Sequence, residues 1–276
     1  RDHQKYFHVI DTRGRLLPVF ITVSNIRSTA PKRVRAGNER VLNARLADAR
    51  FFWETDNRRP LDNRVDELDG VLFHQALGSL HDKTRRLETL SVKIAQTLRA
   101  DETLCARAAH LCKADLVTGM VGEFPELQGT MGRYLAQHDK EPAAVARAIE
   151  EHYLPRHARD KLPASAPGRV LALADRIDSL VGLFLAGEEP TGDKDPYGLR
   201  RAALGVIRIL IEKKVDLDIV ELVNHSADTY AAAGNPVGTN AKKQCIAFVM
   251  ERYRALYAAL GFAQDEISAV LEAGAS

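Results

Sequence analysis

Histidine and carboxylate side chains recur at wide intervals along segments that read as successive helices. Neutral imidazoles and carboxylates supply the nitrogen and oxygen ligands that divalent cations prefer. If these segments fold against one another, the sequence predicts one polar centre built from several helices. Its candidate positions, in chain order, are His81, Lys113, Asp115, His152, Asp175 and Asp178.

The order of these residues resembles that of the HD-type metal phosphohydrolases, in which histidines and aspartates from separate helices converge on one or two metal ions. By position His81 stands for the first ligand, and the defining His-Asp pair should fall between Ala109 and Asp115. That stretch reads Ala-His-Leu-Cys-Lys-Ala-Asp, so no histidine in it is followed by an aspartate. His110 lacks a neighbouring carboxylate, and the ammonium group of Lys113 would repel a cation.

Two interpretations of this centre stay open. In the first, His152 with Asp175 or Asp178 supplies the later ligands, and the chain is a free-standing HD-type metal-dependent phosphohydrolase. In the second, the HD-like positions are degenerate and the chain holds no metal. Lys113 then forms an ion pair with Asp115, Asp175 or Asp178, which fills the vacated site structurally. We predict the second.

A basic segment provides another candidate site, although the formal net charge of the whole chain is only +2. Between Arg27 and Arg64, ten basic side chains stand against five acidic ones, which leaves a local excess of five. Such a patch on a near-neutral protein indicates an anionic partner, for example nucleic acid. The alternative is a solvated helix face that is balanced by acids of the protein itself. The candidate contacts are Lys32, Arg33, Arg35, Arg40, Arg45 and Arg50.

The hydrophobic pattern predicts a mostly helical chain with a short N-terminal β-hairpin. Residues 6–10 and 17–23 read as two strands joined by turn residues. Before them, His3-Gln4-Lys5 is a polar cluster that either contacts a ligand or caps a strand end. A helix begins at Val34, and we expect its basic side chains to lie away from its apolar stripe. That stripe, expected to face the core, comprises Leu42, Leu46, Ala49 and Trp53.

The remaining chain shows helical spacing with recognisable helix starts. A short helical segment is expected through Val65, Leu68 and Leu72. His81-Asp82 opens a long amphipathic helix, where the dipeptide is also simply a capped terminus, and Asp101 can cap the next helix.

Towards the C-terminus, residues 169–185 form a strongly apolar helix that is interrupted by two aspartates. After a loop over residues 187–195, Asp195-Pro196 should begin a helix, with the carboxylate as cap and proline in the first helical position. Further helices are expected over residues 216–232, 242–260 and 264–271.

Composition sets limits on the class of protein. The chain has 276 residues and 45% hydrophobic residues, and it has no apolar run long enough to cross a membrane. Its three cysteines show no paired spacing, so we expect reduced core thiols in a cytoplasmic protein. The sequence opens on Arg1-Asp2-His3-Gln4 without an initiator methionine, and we therefore expect a fragment of a longer polypeptide.

Six short motifs stand in one order over the chain. They are His3-Gln4-Lys5-Tyr6-Phe7, Phe20-Ile21-Thr22-Val23-Ser24-Asn25, Lys113-Ala114-Asp115-Leu116-Val117-Thr118, Glu123-Phe124-Pro125-Glu126-Leu127-Gln128-Gly129, Glu151-His152-Tyr153-Leu154-Pro155-Arg156 and Asp195-Pro196-Tyr197-Gly198-Leu199-Arg200-Arg201. Each motif alone is weak, but the ordered set covers essentially the whole sequence. Together the motifs closely resemble the beta-subunit family of bacterial heterotetrameric glycyl-tRNA synthetases.

The resemblance implies a subunit that supports the ATP-dependent attachment of glycine to tRNA(Gly). In that family an alpha subunit carries the aminoacylation core and uses ATP and Mg, within an alpha2beta2 heterotetramer. The beta subunit supplies most tRNA contacts, so the basic segment becomes the candidate tRNA-binding surface. No catalytic residue and no cofactor of its own are expected in this chain.

The resemblance also implies a division of the chain. Residues 1–60 are expected to end an α+β domain, residues 61–190 to form an HD-like helical domain, and residues 191–276 to continue as helices towards a C-terminal tRNA-binding region. A helical interaction module without a nucleic-acid role remains as a further alternative.

Overall fold

The structure, a computed structural model, describes residues 6–192 and 194–272, and of residue 272 only the backbone. The polar cluster His3-Gln4-Lys5 lies outside the described residues, as does residue 193 of the predicted loop. The chain divides into two compact units, residues 1–51 and residues 52–276. The limits at residues 60 and 190 that the sequence suggests for its domains stay predictions.

The first unit contains the predicted hairpin. Strand β1 (Tyr6–Ile10) pairs antiparallel with β2 (Leu16–Thr22). In the turn between them, the Asp11 carboxylate accepts hydrogen bonds from the backbone N–H groups of Arg13 and Arg15. This local bonding of an aspartate to the chain that follows explains why the sequence alone locates the turn.

Helix α1 (Pro31–Asp56) follows the hairpin. Its start lies three residues before the predicted Val34, because Pro31 occupies the first helical position, where its fixed φ suits the helix and its missing N–H costs nothing. The predicted helix start at Val34 was therefore wrong by three residues. Within the first unit, Tyr6 donates a hydrogen bond to the side-chain oxygen of Asn38, which ties the hairpin to the helix.

The second unit is helical apart from one small hairpin in the part of the chain that the structure describes. Its helices are α2 (Leu80–Thr97), α3 (Glu102–Leu111), α4 (Gly119–Glu123), α5 (Thr130–His138), α6 (Ala143–Glu151), α7 (Ala166–Leu185), α8 (Leu199–Glu212), α9 (Ile219–Ala232), α10 (Thr239–Ala259) and α11 (Gln264–Glu272). Short 3-10 turns cover Asp62–Gly70, Ala114–Val117 and Pro125–Leu127. The mostly helical fold class with an N-terminal hairpin is therefore confirmed.

Helix α7 lies at the centre of the second unit. It packs against α2, α3, α6, α8, α9 and α10. Its apolar residues are buried on every side, as expected for a helix whose sequence is apolar all round. A charged side chain in the buried middle of α7 must therefore find a partner inside the protein, and this requirement governs the polar centre described below.

The 3-10 segment that begins at Asp62 ends earlier than predicted. Leu72 lies in strand β3 (Leu72–His74), which pairs antiparallel with β4 (Gly78–Ser79). The tight turn requires Gly78, whose φ is +88° and whose added Cβ would lie 2.3 Å from the carboxylate of Asp82. Helical spacing of three leucine and valine residues hid this hairpin, so the helical assignment of Leu72 was wrong.

The start of α8 differs from the prediction in a similar way. The helix begins at Leu199, preceded by Gly198 at a φ of +67°, and Pro196 lies before the helix. Asp195 still serves the helix start, since its two carboxylate oxygens accept from the N–H groups of Leu199 (2.8 Å) and Arg200 (3.0 Å). The predicted cap is thus confirmed, while the predicted position of the proline is wrong.

Removal of this cap should be measurable. In Asp195→Ala two helix-start amides lose their acceptor, and we expect the free energy of unfolding to fall by about 1 kcal/mol in a denaturant titration. Asp195→Asn keeps one acceptor oxygen and should lose less. Equal stability of the alanine variant and the wild type would show that the two hydrogen bonds contribute nothing net.

The environments of the three cysteines can be compared with what the composition predicts. Cys105, Cys112 and Cys245 are free and buried, and burial raises the pKa of each thiol, to about 12 for Cys112. The expected core thiols are therefore confirmed. In the described part of the chain, no helix combines the length and the apolar character needed to cross a membrane.

Candidate functional site

The predicted nucleic-acid contacts lie on α1. Lys32, Arg33, Arg35, Arg40 and Arg50 are exposed. Among the described residues, none of these five takes part in an ion pair with an acid. Within the described residues these five cations therefore have no direct ion pair with Glu39, Asp48 or Glu54.

Arg45 is the exception among the six candidates. It is half-buried and pairs with Asp48 at 3.7 Å. The half-buried positions of α1 recur at helical spacing and are Asn38, Leu42, Arg45, Ala49, Phe52 and Trp53. The expectation that Arg45 lies away from the inner face was therefore wrong.

The predicted apolar stripe needs a second correction. Leu42 and Ala49 are half-buried, and Trp53 packs against the core of the second unit, but Leu46 is 59% exposed. The inner face runs along the line through Asn38 and Arg45, so Leu46 falls at its margin. The positions of the apolar residues alone could not reveal which side of α1 is less exposed, because the polar side chains of Asn38 and Arg45 occupy part of that side.

The polar centre of the second unit is built around Lys113, between α3 and the following 3-10 turn. Its ammonium Nζ lies 2.9 Å from Nε2 of His152 and 3.0 Å from Oδ2 of Asp175. The imidazole Nδ1 is 2.7 Å from the carbonyl oxygen of Ile149. Because a carbonyl only accepts, Nδ1 carries the hydrogen and Nε2 accepts from Lys113.

The charges of this centre follow from burial and proximity. Burial disfavours the ammonium form of Lys113, but its acidic neighbours, Asp175 foremost, together outweigh burial and raise the pKa of Lys113. Burial together with the nearby ammonium group holds the pKa of His152 well below its ordinary value. Burial opposes ionisation of Asp175, yet Lys113 and Lys83 hold the pKa of its carboxyl well below the usual range. The centre is thus a lysine–aspartate ion pair with a neutral histidine.

A second pair of cations from α2 completes the network. Asp178 is fully buried, and its carboxylate accepts from Lys83 Nζ at 2.9 Å and from Arg86 Nε at 2.7 Å. Lys83 Nζ also lies 3.1 Å from Asp175 Oδ1. The hydroxyl of Tyr230 donates to the backbone oxygen of Asp178, and the Arg86 guanidinium lies over the Tyr230 ring. Three cations therefore share two carboxylates inside the protein.

Two of the predicted positions do not join this network by direct contact. His81 lies 3.9 Å from Asp66, and the helix start beside it is a capping box between Ser79 and Asp82. The simpler interpretation of His81-Asp82 as a capped terminus is confirmed.

Lys113 forms its ion pair with Asp175, one of its three predicted partners.

Asp115 has a different environment. Its Oδ2 accepts from the N–H groups of Gly129 (2.6 Å) and Gly132 (3.0 Å), and its buried Oδ1 has no hydrogen-bond partner among the described residues. A Cβ at Gly132 would lie 3.1 Å from Oδ2, so the close approach depends on glycine. Burial raises the pKa of Asp115 to about 6, although the two amide hydrogen bonds act in the opposite direction.

This raised pKa predicts a stability change with pH. Between the ordinary value of 3.8 and about 6, the folded chain keeps a proton that the unfolded chain has released, so this group lowers stability as the pH rises through that window. Asp115→Asn should remove the effect. The difference in free energy of unfolding between Asp115→Asn and wild type should shift by about 2–3 kcal/mol in favour of the variant from pH 4 to pH 7.

The matched control is Asp82→Asn. The N–H of Ser79 holds the pKa of Asp82 below its ordinary value, so this control should lose stability relative to wild type as the pH rises. Urea titrations at several pH values measure both differences. If the Asp115 and Asp82 variants changed in the same direction, the assignment of opposite pKa shifts would be contradicted.

The donor set does not fit a divalent cation. The imidazole nitrogen of His152 and the carboxylate of Asp175 already converge on the ammonium of Lys113, and Asp178 is bound by two cations. Among the residues that the structure describes, no three His, Cys, Asp or Glu side chains are grouped so as to hold a metal ion. That the chain holds no metal stays a prediction, for which Lys113 gives the physical reason.

Sequence reasoning did not find Lys83 and Arg86. A signal was present, because Lys83 falls between Leu80 and Leu87 at helical spacing, on the apolar stripe of α2 itself. A lysine on an apolar stripe indicates a buried partner. The partner could not be identified, because Asp178 is 95 residues away in sequence.

The chain thus combines a hairpin and a basic helix with a helical unit that contains a lysine–aspartate centre. The family profile described as glycyl-tRNA synthetase beta subunit matches residues 1–272. The chain belongs to this family. It is 52% identical over 255 residues to the glycine–tRNA ligase beta subunit of Coxiella burnetii (strain Dugway 5J108-111), which covers 92% of this chain and 37% of that protein.

Other relatives carry the same description. The glycine–tRNA ligase beta subunit of Aromatoleum aromaticum is 50% identical and that of Hahella chejuensis 47% identical, each over 271 residues. Both alignments cover 98% of this chain and 39% of the relative. The chain therefore spans less than two fifths of the length of these curated relatives.

Proposed function

We propose that this chain supports the ATP-dependent attachment of glycine to tRNA(Gly) as part of a glycine–tRNA ligase beta subunit. In this role it contacts tRNA and works with an alpha subunit in an alpha2beta2 assembly. The alpha subunit carries the aminoacylation chemistry and uses ATP and Mg. The chain's own residues bind and position the RNA.

The observation that carries this proposal is the exposed basic face of α1. We define this face by Lys32, Arg33, Arg35, Arg40 and Arg50, all exposed and none in an ion pair among the described residues. Cations that lack an acid within the protein are available for phosphate groups. Contacts with the RNA backbone position the nucleic acid but do not read its sequence. The basic face should therefore contribute affinity more than specificity.

The buried polar centre gives no comparable support to a phosphohydrolase. Lys113 supplies a fixed positive charge at the point where His152 and Asp175 converge. A metal ion at that point would experience direct repulsion from the ammonium group. A role for this centre in holding α3, α6 and α7 together is in keeping with its burial.

The test is a triple variant of the α1 basic face. Replacing Arg33, Arg35 and Arg40 by alanine should weaken binding of a tRNA(Gly) transcript, because phosphate contacts release counterions from the RNA. The slope of log affinity against log salt should flatten by about one unit for each arginine–phosphate pair that the substitutions remove. Fluorescence anisotropy at several salt concentrations measures both quantities. The circular dichroism spectrum should not change, since the three side chains are exposed.

A charge-matched control separates a local contact from a loss of net charge. We define it as the variant in which Arg85, Lys243 and Arg254, exposed on α2 and α10, are replaced by alanine. It removes three positive charges but should keep most of the wild-type salt slope. An unchanged salt slope in the α1 triple variant would contradict the proposal that tRNA contacts the basic face of α1. Binding of no RNA by the wild-type chain would favour a helical interaction module instead.

A further inference from the structure

The segment between α6 and α7 is anchored by a buried arginine. Arg176 donates to the backbone oxygens of His152 (2.9 Å), Tyr153 (3.3 Å) and Pro155 (3.2 Å). Its guanidinium takes part in no ion pair among the described residues, and burial lowers the pKa of Arg176 to about 10. Four backbone acceptors, including Ala172 within α7, therefore satisfy this cation.

Helix α8 packs against the same arginine. A Cβ at Gly205 would lie 2.5 Å from Nε of Arg176, so only glycine allows this approach. Farther along α8, Arg208 donates to the backbone oxygens of Ala158 (2.9 Å) and Asp160 (3.1 Å). The segment is thus fixed to α7 by Arg176 and to α8 by Arg208. Side chains that it presents to solvent are held on a defined backbone.

The exposed side chains of this segment are mostly basic. Asp160 is its one acid, and its oxygens accept from the backbone N–H groups of Arg156 and Lys161. Among the described residues, no ion pair includes the exposed cations Arg159, Lys161 and Arg201. We name the loop–α8 surface by its members Arg156, His157, Arg159, Lys161 and Arg201.

A shallow cleft joins the two halves of this surface. It is lined by residues of the segment and of α8, with apolar groups at Pro155 and Leu204 and basic groups at His157, Arg201 and Arg208. Arg208 is already paired with Glu212, whereas Arg201 is exposed and unpaired in the described part of the chain. The exposed guanidinium of Arg201 is therefore accessible to an extended anion.

We propose that the loop–α8 surface is a second RNA-binding surface, which contacts the phosphodiester backbone. The inference rests on the proposed function in tRNA binding, but uses residues of the second unit rather than α1. An extended polyanion fits the arrangement, because the cations are spread over a loop and a helix instead of converging on one point. Their fixed backbone reduces the ordering cost of each contact on binding.

The test compares two variants of the whole chain that differ in charge at the same surface. In the first, Arg159, Lys161 and Arg201 are replaced by alanine. In the second, Arg159 and Arg201 are replaced by lysine, which keeps every positive charge. Binding of a tRNA(Gly) transcript is measured by fluorescence anisotropy at several salt concentrations, beside wild type and the charge-matched control. Circular dichroism and thermal melts verify that each variant is folded.

We expect the alanine variant to bind RNA about tenfold or more weakly at low salt, with a salt slope flatter by about two to three units. The lysine variant should keep the wild-type slope. If the wild-type chain binds RNA but the alanine variant keeps the slope of the charge-matched control, this surface contacts no phosphate and the inference is overturned. Failure of the wild-type chain itself to bind RNA would overturn the proposed function as well, so the two failures are distinguishable.

Discussion

Lys113→Met should lower the free energy of unfolding by about 3–5 kcal/mol, because it leaves the half-buried Asp175 and the buried His152 without their shared cation. The loss should fall towards the lower end of that range, since Lys83 remains 3.1 Å from Asp175. The methionine side chain keeps similar length, so the packing of α3 against α7 should not collapse. Urea unfolding followed by circular dichroism measures the difference.

The pH dependence of the stability of Lys113→Met tests the arrangement more sharply than the loss of unfolding free energy at one pH. In wild type, burial and the ammonium of Lys113 keep His152 neutral by lowering its pKa. Without Lys113, the imidazole can take up a proton and pair with Asp175, so the penalty should shrink as the pH falls below about 6.5, the ordinary pKa of histidine. A penalty that does not change with pH would contradict the placement of His152 beside Asp175.

A double variant serves as the control. In Lys113→Met with Asp175→Asn, both members of the pair are neutral, and replacement of a whole buried ion pair costs much less than removal of one partner. The double variant should therefore be more stable than Lys113→Met alone. Equal or lower stability would mean that the ion pair is not what Lys113 contributes.

Asp178→Asn should also lower the free energy of unfolding by about 3–5 kcal/mol, because the two buried cations Lys83 and Arg86 would lose their common carboxylate. The substitution conserves volume, so the loss reports charge and hydrogen bonding instead of a cavity. Lys83 could turn to Asp175, whereas Arg86 would keep, among the described residues, a long hydrogen bond to the backbone oxygen of Leu77 (3.5 Å) and the ring of Tyr230. Thermal and urea unfolding give the measurement.

Ser179→Ala is the matched control for this second prediction. Ser179 Oγ lies 2.8 Å from Lys83 Nζ, so its removal takes away a neutral partner of the same lysine. A neutral hydrogen bond contributes about 1 kcal/mol. If Asp178→Asn cost no more than Ser179→Ala, the carboxylate of Asp178 would not be the group that holds Lys83 and Arg86 in the core.

Local chemistry explains which parts of the fold were predictable. The first hairpin, the cap of α3 at Asp101 and the capping role of Asp195 depend on residues within a few positions of one another. The second hairpin and the true start of α8 depend on Gly78 and Gly198, which adopt positive φ. Helical periodicity around those glycines concealed both.

Tertiary contacts explain why other features could not be predicted. The sequence identified Lys113 and its possible acids, but the choice of Asp175 depends on how α3 meets α7. Arg45 and Leu46 exchanged their expected environments because rotation of α1 about its axis is set by what it packs against. Arg176 gave no sequence signal beyond its place in an apolar helix, although it anchors the loop that carries the second basic surface.

Titration of a tRNA(Gly) transcript with the whole chain at several salt concentrations decides whether this protein binds RNA through the basic face of α1. We predict a log affinity that falls linearly with log salt, with a slope that is about three units flatter once Arg33, Arg35 and Arg40 are alanine. The charge-matched control should keep a slope close to that of wild type. Absence of binding by wild type, or a triple variant whose slope equals that of the control, would contradict the assignment.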